Sequence, residues 1–243
     1  MIEIEGLLRF LPWDSEFFGR RIARVLPSRL TTEEILQLDV WCLEQHIDCL
    51  YFLSSDTGGP VLWPAQSNGF RLVDLRVTLA SKLDQMVLPK SQNNSICLAT
   101  AADIPDLRSI AAHNHVDSRF YADSHFERSK CDELYATWIE KSINDPNQKV
   151  FTYKPESQAL GYVSYYKDEG SNAVIGLVGI AKECRGQGIA SQLTNSCLHD
   201  MQAEDCSGVE VVTQGRNTKA IQLYEKCGFR LKSIQTWFHK WYE

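Results

Sequence analysis

The chain has 243 residues, one large domain or two modest ones at ~100–200 residues each. Its 44% hydrophobic and 23% charged residues match globular averages, which excludes a disordered or fibrous chain, and no apolar run nears the ~18 residues of a membrane span. The formal charge of −6, from 25 basic and 31 acidic residues, with no basic cluster beyond Arg20, Arg21 and Arg24, argues against a nucleic-acid binder.

In chain order, the acidic start Met1-Ile2-Glu3-Ile4-Glu5 lacks the basic end and apolar stretch of a secretion signal. Thr31 and Glu34 have capping-box spacing, and Ile35, Leu38 and Cys42 continue at helical intervals with Trp41 beside them. Cys49–Leu53 suits a buried strand ending at the turn signal Ser54 to Pro60. From Leu72 to Leu79 the pattern alternates, with Val73, Leu75, Val77 and Leu79 on one side and Asp74 and Arg76 on the other. Lys82–Ser95 is polar and aperiodic and reads as a linker. The expected division is an N-terminal α/β subdomain over 1–90, on the acceptor side or at a dimer surface, and a second domain over 96–243.

From Ile96 the order is strand, helix, helix, strand, strand, strand, helix, strand, helix, strand. Asp103 or a neighbour caps the first helix, with Pro105 in its first turn. A helix is expected over Glu127–Ser142, a hairpin around Lys154–Ser157, a buried strand over Val174–Ile180 and another over Val209–Thr213. The last strand is Arg230–Trp241, whose alternation hints at pairing between subunits, hence a homodimer. The expected fold class is α/β, with a mixed, mostly antiparallel sheet flanked by helices. The eight cysteines, at 42, 49, 97, 131, 184, 197, 206 and 227, form no Cys-x-x-Cys and no zinc spacing, so reduced thiols and a cytoplasmic protein are expected.

The most informative stretch runs from Val178 to Ala190. A strand ends, two glycines follow, and an apolar helix opens with Ile189, Leu193 and Cys197. Free N–H groups at a helix start carry partial positive charge, and glycines let an anion approach them, so the stretch can cradle a pyrophosphate. The bland alternative is an ordinary strand-to-helix turn. Arg185-x-x-Gly188-x-Ala190 resembles the coenzyme A loop of GNAT acetyltransferases. The resemblance implies that the amides of Arg185, Gly186, Gln187, Gly188, Ile189 and Ala190 grip the pyrophosphate of acetyl-CoA, with main-chain groups of Val178 and Ile180 pairing with the pantetheine arm on a splayed strand.

The second string, Asn217-x-x-Ala220-x-x-Leu223-Tyr224-Glu225-x-x-Gly228-Phe229, is explicable as a helix with an N-cap, an apolar stripe and a glycine stop. It also resembles the C-terminal signature of the same family, some 30 residues after the first. That implies Asn217 near CoA and Tyr224 near the thioester sulfur. An amine attacking the thioester forms an oxyanion, which a strand N–H near Ile180 would stabilise, and expels a thiolate. Protonating a thiolate of pKa ~8.5 from a phenol of pKa ~10 is uphill by ~2 kcal/mol in water, a gap that narrows in a dry site. Tyr224 is therefore the expected general acid, or a strong donor to sulfur. Direct attack on a thioester needs no metal, and none is expected.

A minimal domain of this kind would fit in 96–243, leaving about 90 residues for another purpose. Leu11–Gly19, Asn68–Asp74, Ser118–Tyr121, Tyr135-x-x-Trp138-Ile139-Glu140 and Val212–Thr218 resemble blocks of TDP-fucosamine acetyltransferases. Those enzymes acetylate the 4-amine of a TDP-linked 4-amino-4,6-dideoxygalactose for surface polysaccharide. By this resemblance the acceptor is a nucleotide sugar and Asp74 is the base, acting through water. Alternatives are a surface pair of Asp74 with Arg76, and His113, His115 or Asp117 as base. Phe17, Phe18, Arg119 and Phe120 are expected to shape the sugar-nucleotide pocket, the alternative being core for the aromatics and solvent for Arg119. Rival functions are acetylation of a peptide α-amine or a small amine, and a non-catalytic acyl-CoA sensor.

Overall fold

The computed structural model describes residues 3–4, 6–57, 63–89 and 93–242. Met1, Ile2 and Glu5 of the acidic start, Gly58–Pro60 of the expected turn and 90–92 of the expected linker lie outside them. The chain runs β1 (Glu3–Ile4), β2 (Leu8–Phe10), α1 (Pro12–Phe18), β3 (Ile22–Val25), α2 (Thr32–Glu44), β4 (Cys49–Ser54), α3 (Trp63–Ser67) and β5 (Arg71–Lys82). Then follow β6 (Ile96–Leu98), α4 (Ile104–Ala112), α5 (Arg119–Ala122), α6 (Arg128–Asn144), β7 (Gln148–Tyr153), β8 (Gly161–Lys167) and β9 (Asn172–Ile180). The last elements are α7 (Ile189–Ala203), β10 (Gly208–Gln214), α8 (Thr218–Lys226) and β11 (Arg230–Trp241).

Local chemistry explains the ends. Thr31 and Glu34 close a reciprocal capping box on α2. Thr100 and Asp103 do the same for a 3-10 turn over Ala101–Asp103 that leads into α4, where Asp103 occupies the N-cap position without a side-chain bond of its own to α4. Helix α1, not anticipated by periodicity, starts with Pro12 in its first turn and stops at Gly19, which takes a left-handed φ of 63°.

One eleven-stranded sheet has the order β1-β2-β3-β4-β11-β5-β10-β9-β8-β7-β6. Among the described residues only β3–β4 and β9–β10 run parallel. Strand β5, from the first 90 residues, lies between β10 and β11, from the last 40. Residues 96–243 alone would therefore lack the strand that joins β10 to β11. Strand β5 pairs with β11 from Arg230 to His239, but β4 pairs with it only from Thr236 to Trp241, so the other edge of residues 230–235 has no strand against it among the described residues.

Alternation sorts side chains onto two faces. One carries Val77, Leu79, Val209 and Val211 under α7 and α8, and farther along Leu50, Phe52 and Phe238 under α2. The other carries Ile22, Cys49, Tyr51 and Tyr162 under α1, α4, α5 and α6. The β5–β11 register shifts between Trp237, opposite Asp74, and Phe238, opposite Leu72. This bulge at Val73 upsets the strict alternation expected of β5, and Leu75 is exposed rather than buried.

Candidate active site

Strands β9 and β10 pair only from Asn172 to Ile175 and from Gly208 to Val211. Beyond Ile175, β9 follows β8 through a bulge opposite Ser164, whose Oγ accepts from Leu177 N–H at 2.9 Å, while β10 stays with β5 as far as Gln214. The two strands separate and leave a gap. Ala181 N–H donates to Leu160 O at 2.9 Å, so antiparallel alternation turns the main-chain groups of Val178 and Ile180 into that gap. Those of Ile180 are occupied: its N–H donates to Asn114 Oδ1 (3.2 Å) and its carbonyl accepts from Arg185 Nε (3.2 Å). Val178 N–H has no strand opposite it. The Ile180 N–H expected as a donor is thus already bonded, and the next N–H turned into the gap is that of Val178.

Past Ile180, a 3-10 turn over Lys182–Cys184 leads to Gly186 and Gly188, with φ of 79° and 77°. A Cβ at either would be forced into the left-handed region. Helix α7 opens at Gly188 without a side-chain cap, so the first N–H groups, at Ile189 and Ala190, face the loop unsatisfied. Gln187 folds back, donating from Nε2 to Glu183 O at 3.1 Å. The Arg185 guanidinium also turns back, holding Ile180 O and Asn114 Oδ1 (3.1 Å). Its side chain braces the end of β9 instead of extending to an anion. Asn114, just past α4, was not anticipated, since the two partners of its Oδ1 lie 66 and 71 residues away.

Asn217 Oδ1 accepts from Ala220 N–H at 3.1 Å, capping α8 beside the open end of β10. Tyr224 lies on α8 with 5% exposure, in the cluster that holds Ile180, Ile189 and Leu193, its ring 5.7 Å from Phe229. Burial pushes its phenol well above the ordinary value, so it stays protonated. Its hydroxyl bonds to no described residue, yet it is not among the sealed, partnerless buried atoms, which are Tyr51 Oη and Ser118 Oγ.

Asp74 lies on the opposite face of the sheet from Tyr224's cluster. It is not the solvated carboxylate expected: 5% is exposed, and its partner is not Arg76. Arg76 donates to Gln235 Oε1 (2.7 Å) and Thr78, whereas Arg216 Nε stands 4.0 Å from Asp74 Oδ1 and its other arm donates to Val73 O at the bulge (2.6 Å). Burial raises the Asp74 carboxyl to about 6, against the lowering effects of Arg216 and the Leu75 N–H bond at 2.8 Å. Asp117 is near enough to add to the rise. His113 is an exposed helix-end residue bonded to Ser109 O. His115 stacks on Tyr135 (4.4 Å), bonds Tyr162 Oη (3.0 Å) and is pushed down by burial to about 4, a weak base at neutral pH.

Arg119 is half-buried rather than solvated. Its guanidinium sits 4.1 Å from the Tyr51 ring centre, 4.2 Å from Phe120 and 4.4 Å from Trp237. Phe120 is buried and forms a floor under that cation, so it presents no face to a ligand. Phe17 stacks on Trp13 at 5.0 Å, and Phe18 packs on Phe120 and Phe126, both half-buried. All eight cysteines are free thiols. Among the described residues no helix is long and apolar enough to cross a membrane, and no group of three His, Cys, Asp or Glu could hold a metal.

Residues 111–229 match the model of the Acetyltransferase (GNAT) family. The spore coat polysaccharide biosynthesis protein SpsD of Bacillus subtilis is 23% identical over 132 residues, 54% of this chain and 45% of that protein. N-alpha-acetyltransferase 30 of Saccharomyces cerevisiae is 36% identical over 61 residues, 25% of this chain and 35% of that one. The chain thus spans less than half the length of these curated relatives. A GCN5-related N-acetyltransferase from Sphaerobacter thermophilus superposes with a TM-score of 0.67 at 16% identity, over 96% of this chain and 76% of that one, a likeness of fold. The matched stretch is just under half of the chain and holds the gap, the glycine loop and α8; with the shared fold it likens this chain to GNAT acetyltransferases, whose co-substrate is acetyl-CoA.

Proposed function

We propose that this protein transfers the acetyl group of acetyl-CoA to the amine of a nucleotide-linked amino sugar, a TDP-linked 4-amino-4,6-dideoxy sugar for surface polysaccharide. The observation that carries the reading is the gap between β9 and β10, which ends in the uncapped start of α7 and has Tyr224 and Asp74 on opposite faces of the sheet. The pyrophosphate of the co-substrate would meet the N–H groups of Gly188, Ile189 and Ala190, and its pantetheine arm would pair with Val178 as an added strand. The acceptor then approaches from the Asp74 face. Asp74, ionised at neutral pH, takes a proton from the ammonium, directly or through water. Asp74 releases that proton to water, the amine nitrogen attacks the thioester carbon, and the oxyanion is met by Val178 N–H. The extra proton on the now positive nitrogen passes to the re-ionised Asp74 as the intermediate collapses to the amide. When the C–S bond breaks, the electron pair stays on sulfur, and the Tyr224 hydroxyl donates to it.

The sugar acceptor is supported by the likeness to SpsD, which is named for spore coat polysaccharide biosynthesis, and by the sequence blocks described above. A peptide α-amine is the second reading, supported by the likeness to N-alpha-acetyltransferase 30. A thiol-release assay with acetyl-CoA decides between them. Turnover is expected with TDP-linked 4-amino-4,6-dideoxy sugars and not with peptides. Turnover of peptides alone overturns the sugar reading, and CoA binding without turnover of any amine favours a sensor.

A further inference from the structure

The face of the sheet that carries Asp74 holds positive charge that its neighbours do not balance. Arg24 on β3 and Arg119 on α5 converge on one indole: their guanidinium carbons lie 5.3 and 4.4 Å from the Trp237 ring centre. Trp237 pairs directly across from Asp74, so this cationic pair stands beside the candidate base.

Neither arginine has a carboxylate within ion-pair distance among the described residues. Arg119 is held instead by a neutral group. One of its N–H groups donates to His239 Nε2 at 2.8 Å, while His239 Nδ1–H donates to Asp123 at 2.7 Å, and burial keeps that imidazole at about 4. Asp123 is fully employed, accepting also from Trp241 Nε1 (2.8 Å) and bonding His125 (2.7 Å). The network fixes the guanidinium and leaves its charge in place.

Arg24 faces Arg9 directly across the β2–β3 register, and like charges so placed repel. The fields of Arg119, Arg9 and Arg76, added to burial, lower its pKa. Asp14 on α1 feels both Arg24 and Arg119 but pairs with neither, and burial weakens it as an acid. Two forked, partly desolvated guanidiniums in fixed positions suit an anion with several oxygens on more than one centre. A single carboxylate would satisfy only one of them.

We infer that Arg24 and Arg119 form a phosphate subsite on the acceptor side, which takes the diphosphate of the acceptor with Trp237 as its floor. The inference rests on the amino-sugar reading only in naming what the diphosphate is attached to. A diphosphate also belongs to the co-substrate, so the test must separate the two sources.

Thymidine diphosphate and inorganic pyrophosphate are titrated by calorimetry into the free protein and into protein saturated with CoA. One competing site is expected that persists when CoA is bound. Arg24→Gln and Arg119→Gln should each weaken binding tenfold or more, with Arg24→Lys in between because it keeps the charge but loses the fork. If CoA abolishes diphosphate binding, the anion sits at α7 and the inference fails. It fails equally if Arg24→Gln binds as the natural protein does. Should Arg119→Gln not fold, being packed among three rings, the half-buried Arg24 decides alone, with retained CoA binding as its fold control. Arg24-dependent diphosphate binding without transfer to any nucleotide-linked amino sugar removes the acceptor reading and leaves the subsite standing. Transfer to such a sugar with a KM unchanged in Arg24→Gln removes the subsite and leaves the acceptor reading.

Discussion

Tyr224 and Asp74 are both buried, with opposite consequences. A phenol is neutral when buried, so Tyr224 packs at no electrostatic cost and keeps its proton for donation. Tyr224→Phe should keep the packing and lose ~10²–10⁴ in kcat, with CoA affinity and thermal stability nearly unchanged, read by steady-state kinetics and a melting curve. A carboxylate is penalised by burial. The Asp74 pKa rises from 3.8 to about 6 on folding, so between those values the folded state binds more protons than the unfolded one. Asp74 thus lowers stability as pH rises through that window, and the loss is complete above about 6. Asp74→Asn should therefore be more stable above pH 6, by on the order of 1–3 kcal/mol, and nearly inactive. On the proposed role, kcat/KM of the natural protein should rise with pH through about 6 as Asp74 ionises. A variant that melts lower, or turns over normally, contradicts both roles. Sequence could point to Asp74 by resemblance and strand side, but its burial depends on Arg216, 142 positions on, and on the β5–β11 bulge.

Strands and helices with their own local signals were legible. The α2 capping box, the hairpin of β7 and β8, the glycine turn into α7 and the Asn217 cap of α8 all depend on residues within a few positions of each other. Elements α1, β2 and β3 were not read, because each is short and is completed by contacts across the sheet. At the loop, Gly188 has a φ of 77°. Gly188→Ala should cost ~1–2 kcal/mol of left-handed strain and roughly 2–8 °C in Tm, and raise the KM for acetyl-CoA by at least tenfold. Kinetics and a melt read both. Gly179 serves differently: a Cβ there would come within 2.6 Å of the Tyr162 ring, which crosses the strand to reach His115. Gly179→Ala should therefore displace that ring, destabilise the fold and slow turnover.

Across the whole molecule, the integration of β5 sets what can be removed. A fragment starting at residue 93 leaves β10 without its antiparallel partner and β11 without β5 and β4 together. Val77 and Leu79, which pack in the core beneath α8, would also be lost. Such a fragment should be insoluble or molten, lacking a cooperative melt and dispersed amide signals; a cooperatively folded, CoA-binding fragment would show that β5 is dispensable.

The sequence by itself determined the parts whose physics is local: the glycine turn and uncapped start of α7, the helix with Tyr224 and the period of most strands, because caps, glycine turns and alternation act over a few residues. Only the tertiary structure decided which strands are neighbours, that β9 and β10 part company after Ile175, that Arg185 and Asn114 occupy Ile180, and that Arg24 meets Arg119 over Trp237. Those are pairings between residues far apart in the chain, and burial and electric field at a site are sums over neighbours that no local pattern contains.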